Sequence, residues 1–420
     1  MPHVPVIAVI GTLDTKSNEI AYVRDKIIGL GARALVIDSG ILGTPTIPAD
    51  IDRTAVATAA GKTLGEVQQA GSRSAAVELM EVGLAAIARD LYQAGKLHGV
   101  LCLGGAEGGL MGAAAMQALP VGVPKFIVSP SASGRREFGP FMGSSDVTVM
   151  HSVIDILGLN AIARSIFDNA AAAIVGMATW AGKTPHSDRP AVGVTMLGQT
   201  TPGAMVLVRI LEDAGYEPII FHANGVGGPA MDALAREKVL AGVIDFTLSE
   251  PANSMFNGIH STDDRRMTAA PESDIPLLVV PGAADFFNQG PINTVEPAYS
   301  QRPMYRHNPV ATLVRIQTDE MKELGKIIAN RIRTATAPTA VLAPTKGFSL
   351  IGVMDGPIAD PQADLRLIES LEHNLPASIP VERADMDIND AAFGKLAAER
   401  FLGLMARTGL GRRPLLQERA

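Results

Sequence analysis

Four short apolar runs in the first 130 residues, "VIAVI" (6–10), "ALVID" (34–38), "GVLCL" (99–103) and "KFIVS" (125–129), follow one pattern. Each is apolar at odd and even positions alike, and each gives way to glycine or small polar residues. A strand that is apolar on both sides must be covered on both. It therefore belongs in a parallel sheet between two layers of helices. The intervening segments read as those helices. Ser17–Leu30 carries Ile20, Val23, Ile27 and Leu30 on one stripe, Ser74–Ala94 carries another, and an alanine-rich segment follows "GGAEGG". The stretch between Asp38 and Ser72 reads as a polar, threonine-rich loop, Asp146–Met150 as a fifth strand, and Ile154–Ala181 as mostly helical.

"WAGKTPHSDRP" (180–190) interrupts this alternation with two prolines and a polar run, and then the scheme restarts. The expected organisation is two Rossmann-like α/β domains, 1–185 and 186–420, each a mostly parallel sheet with helices on both faces. Strands are expected at 191–198, at "EPIIFH", and at Val243–Leu248, Leu277–Val280, Thr312–Ile316, Ala340–Ala343 and Pro380–Arg383. Helices are expected over Ala230–Leu240, Thr318–Thr334, Pro361–Asn374 and Asn389–Thr408. The openings of the two domains share strand, Gly-Thr loop, helix, glycine turn and strand. An internal duplication and the common rhythm of α/β units both account for that.

The 420 residues are 47% hydrophobic and 19% charged, which suits large buried cores. The net charge is −7 and the basic residues are spread along the chain, against the basic stripe that a nucleic-acid surface needs. The single cysteine, Cys102, lies in an apolar run and reads as a buried strand residue rather than a nucleophile. A lone thiol forms no internal disulfide. With no basic leader at the N-terminus and no uncharged stretch of about 20 apolar residues, the expectation is a cytoplasmic protein outside the membrane.

In a parallel α/β sheet, ligands bind beyond the carboxyl ends of the strands, and the polar residues cluster there. After the first strand comes "GTLDTKSNE": a helix start capped by Thr15 or Ser17, with Thr12 and Thr15 as hydroxyl donors, Lys16 as a cation, and Asp14 suited to Mg2+ or a ribose hydroxyl. An anion site and a simple capping loop with a solvated lysine both fit this segment. "LGGAEGGLMG" (103–112) adds backbone amides able to approach a phosphate. "SPSASG" (129–134) and Arg135–Arg136 form a third such loop. In the second domain "GQTTPG" (198–203) repeats the threonine-rich turn. His222, Glu250 and Asp285 stand at strand ends as candidates for proton transfer, and further loops offer Asn288, Lys346, Ser349 and Asp355. No Walker A loop, zinc motif or G-x-S-x-G nucleophile turn is present.

Taken in order, "GTLDTKSNE", "GGAEGG", "LGQTTPG", "FHANGVGGPAMD", "DFTLSE", "PGAADFFNQGP", "HNPVATLVR" and "PTKGFSLIGVMDGP" resemble a bacterial and fungal family similar to the N-terminal, ATP-binding-like module of the tomato mosaic virus resistance protein. The resemblance runs from about Val6 to Leu404. It implies two Rossmann-like domains, a homodimer and a site for ATP or a related nucleotide with Mg2+. By position the cofactor-binding candidates are Gly11, Thr12, Asp14, Thr15 and Lys16, with Gly104, Gly105, Gly108 and Gly109. The plant protein continues into a TIM-barrel region that this chain lacks, which implies a separate barrel partner. One departure stands out: Ala106–Glu107 occupies the place of a serine in the second loop, and Glu107 brings a charge that repels phosphate. The expected function is a small-molecule-binding protein, read first as an enzyme, with a nucleotide or other anionic ligand at the strand-end loops near the interdomain cleft. The other reading is a nucleotide-responsive regulator without catalysis of its own.

Overall fold

The structure is a computed structural model that describes residues 4–132, 139–182 and 187–408. Residues 1–185 and 186–420 form two compact units. Ser133, Gly134, Arg135 and Arg136 of the third candidate loop lie outside the described residues.

The first unit holds five strands: β1 (Val6–Gly11), β2 (Arg33–Asp38), β3 (Gly99–Leu103), β4 (Lys125–Ser129) and β5 (Thr148–His151). Every pairing is parallel and the order is β2-β1-β3-β4-β5. Alternate side chains on a strand point to opposite faces, which explains runs without a polar side. Ile7, Val9, Leu101 and Val128 pack with Ile20, Val23, Phe167 and Ile174. Ala8, Ile10, Val100 and Ile127 pack on the other face with Val77, Met80, Leu84 and Met111. Helix Ala161–Trp180 is long and apolar enough to cross a membrane by length and composition, yet Phe167, Ala170, Ala171 and Ile174 on it form part of this core.

Helix Leu13–Gly29 begins four residues before the expected Ser17, and Lys16 leaves helical geometry at φ −132°, ψ 22°. Neither Thr15 nor Ser17 caps it. The Leu13 amide instead donates to Asp38 Oδ1 at the end of β2 (3.0 Å), and Ser17 Oγ donates back to the Leu13 carbonyl. The expected loop between Asp38 and Ser72 contains two short helices, Arg53–Ala59 and Leu64–Gln68. The first is capped by Asp52, and the second by a Thr63–Glu66 box that satisfies two amides reciprocally.

The second unit opens with β6 (Ala191–Met196), β7 (Glu217–His222), β8 (Gly242–Thr247) and β9 (Leu277–Gly282). An antiparallel three-stranded sheet follows, built from β10 (Phe286–Gln289), β11 (Met304–Asn308) and β12 (Ala311–Arg315) in the order β10-β12-β11. The strand expected at Thr312–Ile316 therefore stands outside the parallel sheet. Chain then returns to that sheet with β13 (Thr339–Pro344) and β14 (Val381–Ala384), giving the parallel order β14-β13-β9-β8-β6-β7. Counted along its own strands, this sheet repeats the order of the first, second strand, first, third, fourth, fifth, and adds a sixth at the edge.

Candidate functional site

In both sheets the chain runs outward from its first strand to its second, then back past the first to its third. Where strand order reverses in this way, the loops leaving the two central strands diverge and open a crevice. In the first unit those loops follow β1 and β3, and they line one cleft of about 930 Å3. Thr12, Asp14, Thr15 and Lys16 come from the first loop, and Gly105, Ala106, Glu107 and Gly108 from the second. All the lining residues fall between Thr12 and Met111, within the first unit.

The helix after β3, Ala106–Gln117, starts without a side-chain cap, Gly105 occupying the cap position. Its first amides have no partner within the helix, so they face the cleft as donors. Gly105 and Gly108 have open space where a Cβ would stand. Gly11, Gly104 and Gly109 have a different role. A Cβ on Gly11 would meet Ile20, one on Gly104 would run into the backbone of Gly108 and Gly109, and one on Gly109 would meet Phe141. Those three allow close packing and do not line the cleft.

Across from this helix, Thr12 and Thr15 share a hydroxyl–hydroxyl hydrogen bond of 2.8 Å. Lys16 Nζ donates to the Ile156 carbonyl at 2.7 Å, leaving two of its protons unassigned. Asp14 lies 3.9 Å from Arg53 Nη1, and Arg53 Nε donates to Asp38 Oδ2 at 2.7 Å. Asp38 thus supplies the built-in anion at the first helix start, and the Asp14 charge faces a guanidinium. Ser39 is buried at the cleft wall with its Oγ unpartnered among the described residues. Glu107 accepts from Arg73 at 2.6 Å, and both residues line the cleft. Ile41, Leu42, Val77 and Met111 give the same cleft an apolar side. Asp38, Ser39, Arg53 and Arg73 carry no local sequence signal of a site, since Arg53 and Arg73 meet their carboxylate partners only through the fold.

The three proton-transfer candidates of the second unit are not joined by any hydrogen bond or ion pair among the described residues. Glu250 is buried in the short helix Ser249–Ser254 after β8. Its Oε2 accepts from Arg266 Nε (2.6 Å), and its Oε1 accepts from the amides of Gly225 (3.1 Å) and Gly228 (2.9 Å). Arg266, itself buried, also grips Asp245 with Nη1 (2.8 Å) and Nη2 and lies 3.5 Å from Asp232. Burial works against the Arg266 charge, but Asp245, Glu250 and Asp232 outweigh it and hold its pKa well above the ordinary value. Burial pushes Asp232 up to about 6 even beside Arg266. Asp285 is buried too, its Oδ2 accepting from Ser349 Oγ (2.7 Å) with Arg315 Nη1 3.6 Å away. Burial raises its pKa against the pull of Arg315 and Ser349. Both candidates are enclosed: Glu250 is bonded at both oxygens, while Asp285 is bonded at Oδ2 and its Oδ1 has no partner among the described residues.

His222 ends β7 with an exposed side chain. Nearby, His260 Nδ1 lies 3.2 Å from Ser249 Oγ, and burial together with the charges of His222 and His307 depresses its pKa to about 4. A smaller cavity of about 480 Å3 in this unit, lined by Pro251, Met255, Asp264 and Arg331 among others, contains none of the three candidates. Cys102 is buried in β3, and burial pushes its thiol up to about 12, as suits a packing residue.

The fold and cleft together define a two-unit α/β protein with an open crevice at the strand-order reversal of its first sheet. Residues 5–183 match the N-terminal domain, and residues 189–405 the C-terminal domain, of "Uncharacterised protein family (UPF0261)". The chain belongs to this family. It is 35% identical over 404 residues to a UPF0261 protein of Clostridium tetani, covering 96% of this chain and 99% of that one. A UPF0261 protein of Rhizobium meliloti is 36% identical over 397 residues, 94% of this chain and 98% of that one. The ToMV resistance protein Tm-1(GCR237) of Solanum lycopersicum is 31% identical over 429 residues, which cover 96% of this chain and 56% of the tomato protein. The resemblance read from the motifs is thus borne out. Among solved structures, a UDP-N-acetylglucosamine 2-epimerase matches at a TM-score of 0.25 and 10% identity, covering 66% of this chain and 79% of that one. A likeness that faint carries no argument about this chain.

Proposed function

We infer that the first unit binds a small anionic ligand, a nucleotide or another phosphorylated or carboxylated metabolite, in the cleft beyond β1 and β3. One observation carries this reading: the Thr12–Lys16 segment and the Gly105–Gly108 turn, far apart in sequence, line one cavity at the point where strand order reverses. Three features support it. The amides at the start of Ala106–Gln117 are uncapped and favour negative charge. Hydroxyls from Thr12 and Thr15 and a lysine stand opposite. An apolar side suits a base or another flat group, and about 930 Å3 lies within the roughly 300–1,000 Å3 usual for small-molecule sites.

The enclosure of Glu250 and Asp285 favours a ligand-responsive binding role over acid–base catalysis through those residues. The proposal includes a cytoplasmic homodimer, and a separate partner protein in place of the part of the tomato relative that the match leaves uncovered. Isothermal titration with AMP, Mg-ATP and sugar acids tests the binding. Lys16→Ala should weaken the ligand that binds by ~1–3 kcal/mol, the value of a charge-assisted hydrogen bond. Failure of every ligand class to bind would end the reading, and an unchanged affinity in Lys16→Ala would remove Lys16 from the site.

A further inference from the structure

We propose that the cleft of the first unit takes a ligand carrying one phosphate or carboxylate together with a vicinal pair of hydroxyls, and that Glu107 receives the hydroxyls. The proposal rests on the ligand-binding reading of this cleft and narrows it to a chemical class. Its basis is the charge balance of the walls. Asp14, Lys16, Arg73 and Glu107 are the charged residues lining the cleft. Arg73 is held by Glu107 at 2.6 Å, and Asp14 faces Arg53 at 3.9 Å. Lys16 is the lining cation without a carboxylate partner among the described residues; its one hydrogen bond goes to a backbone carbonyl. With one free cation and one uncapped helix start, the walls compensate a single anionic group well.

A triphosphate asks for more. It brings several charges and usually a divalent ion held by carboxylate oxygens. Among the described residues, no group of three His, Cys, Asp or Glu side chains is placed to hold a metal ion. Glu107 adds a constraint of its own. It stands in the first turn of the uncapped helix, where its carboxylate repels a second phosphate. Its Oε2 accepts from Arg73, while its Oε1 has no partner among the described residues. An ionised carboxylate only accepts hydrogen bonds. Fixed at one oxygen and open at the other, it complements a hydroxyl donor on the ligand, and a diol reaches it better than a single hydroxyl does. The unpartnered, buried hydroxyl of Ser39 adds a further polar group to the same wall.

The test is calorimetric titration of the full chain with inorganic phosphate, ribose 5-phosphate, AMP, 2′-deoxy-AMP and Mg-ATP. It is repeated on Glu107→Ala, Glu107→Gln and Lys16→Ala. The Glu107 side chain is 42% exposed, so these variants should keep the fold, which an unchanged melting temperature verifies. AMP is expected to bind at least about tenfold tighter than both 2′-deoxy-AMP and Mg-ATP, the worth of one charged hydrogen bond. Glu107→Ala should bring AMP and 2′-deoxy-AMP to the same affinity, with Glu107→Gln in between. Binding by ribose 5-phosphate as well as AMP would assign the affinity to the phosphate and sugar, and binding by AMP alone would add the base. If Mg-ATP binds as tightly as AMP, or if the diol preference survives Glu107→Ala, the proposal falls while a Lys16-dependent cleft stands. If no probe binds, the cleft reading falls with it.

Discussion

Replacing Glu250 with glutamine changes few atoms and separates two roles for this residue. As a proton carrier it would lose function and leave stability intact. The structure demands the reverse. Glu250 receives three hydrogen bonds, from Arg266 Nε (2.6 Å) and from the amides of Gly225 (3.1 Å) and Gly228 (2.9 Å). In Glu250→Gln the side-chain oxygen still serves the two amides, and the new NH2 group then faces the Arg266 N–H, donor against donor. A charged hydrogen bond is worth about 1.5–3 kcal/mol, and a desolvated donor left unpaired costs about 1–3 kcal/mol more. Arg266 keeps both contacts to Asp245, which limits the damage. The expected loss is about 3 kcal/mol, within the range for breaking one contact of a buried ion cluster. Native-state hydrogen exchange reads this locally. Amides of β8 should exchange roughly a hundredfold faster, and those of β3 in the first unit should be unchanged. A loss under about 1 kcal/mol would refute the claim that Glu250 is a structural partner of Arg266.

Other outcomes follow from the same geometry. Burial places the Asp364 pKa at about 7, above the ordinary carboxylate value, so between about pH 4 and 7 the folded chain keeps a proton that the unfolded chain has released. That contribution is full at low pH and is lost as pH rises through 7; urea titrations should show Asp364→Asn gaining on the parent by about 1.4 kcal/mol per pH unit over that window and no further above it. Gly104→Ala would drive a Cβ into the backbone of Gly108 and Gly109, costing about 1–3 kcal/mol in melting experiments and displacing the second loop. Cys102, buried with its thiol pushed up to about 12, should resist alkylation at pH 8 until the chain is unfolded.

The parallel sheets were legible because their strands are enclosed on both faces. β3 and β4 coincide with Gly99–Leu103 and Lys125–Ser129 as read, since every position in them is buried and apolarity has no gap. Two strands escaped for the opposite reason. β11 (Met304–Asn308) is largely exposed and lacks apolar alternation, and β10 (Phe286–Gln289) sits inside a glycine- and asparagine-rich segment that reads as a loop. Helices of seven and five residues, at Arg53–Ala59 and Leu64–Gln68, are too short to show a stripe. The loops of the candidate site were visible because strand ends locate them. What fills each loop was not visible. Asp38 reaches the Leu13 amide across 25 residues, and Arg73 reaches Glu107 across 34; such partners are set by packing and leave no local trace. Glu250 and Asp285 look alike in sequence to carboxylates that work on a ligand. That Arg266 and Arg315 stand beside them is visible only in the fold.

The two units offer an internal comparison that bears on where a ligand belongs. Their parallel sheets share one order over their first five strands, and in each a threonine-rich turn leaves the first strand beside the turn leaving the third. In the second unit several polar groups at that position bond to one another, although Gln199 Oε1 has no partner among the described residues. Thr195 Oγ1 donates to Asp245 Oδ1 (3.0 Å), Thr200 and Thr247 share a hydroxyl hydrogen bond of 2.7 Å, and Arg266 closes over Asp245 and Glu250. In the first unit the equivalent turns carry an uncapped helix start, a lysine without a carboxylate partner and a buried serine hydroxyl without any partner among the described residues. Buried polar groups left unpaired are costly, and a folded chain tolerates them where something else completes them. What separates the two turns is charge: in the second unit Arg266 is taken up by Asp245 and Glu250, whereas in the first Lys16 has no carboxylate partner among the described residues. Thr12→Val with Thr15→Val should therefore weaken ligand binding to the first unit with little loss of stability, whereas Thr200→Val, which breaks an internal bond, should destabilise the second unit by about 1–3 kcal/mol in urea unfolding. Equal stability losses at the two turns would mean that the first crevice is as self-satisfied as the second.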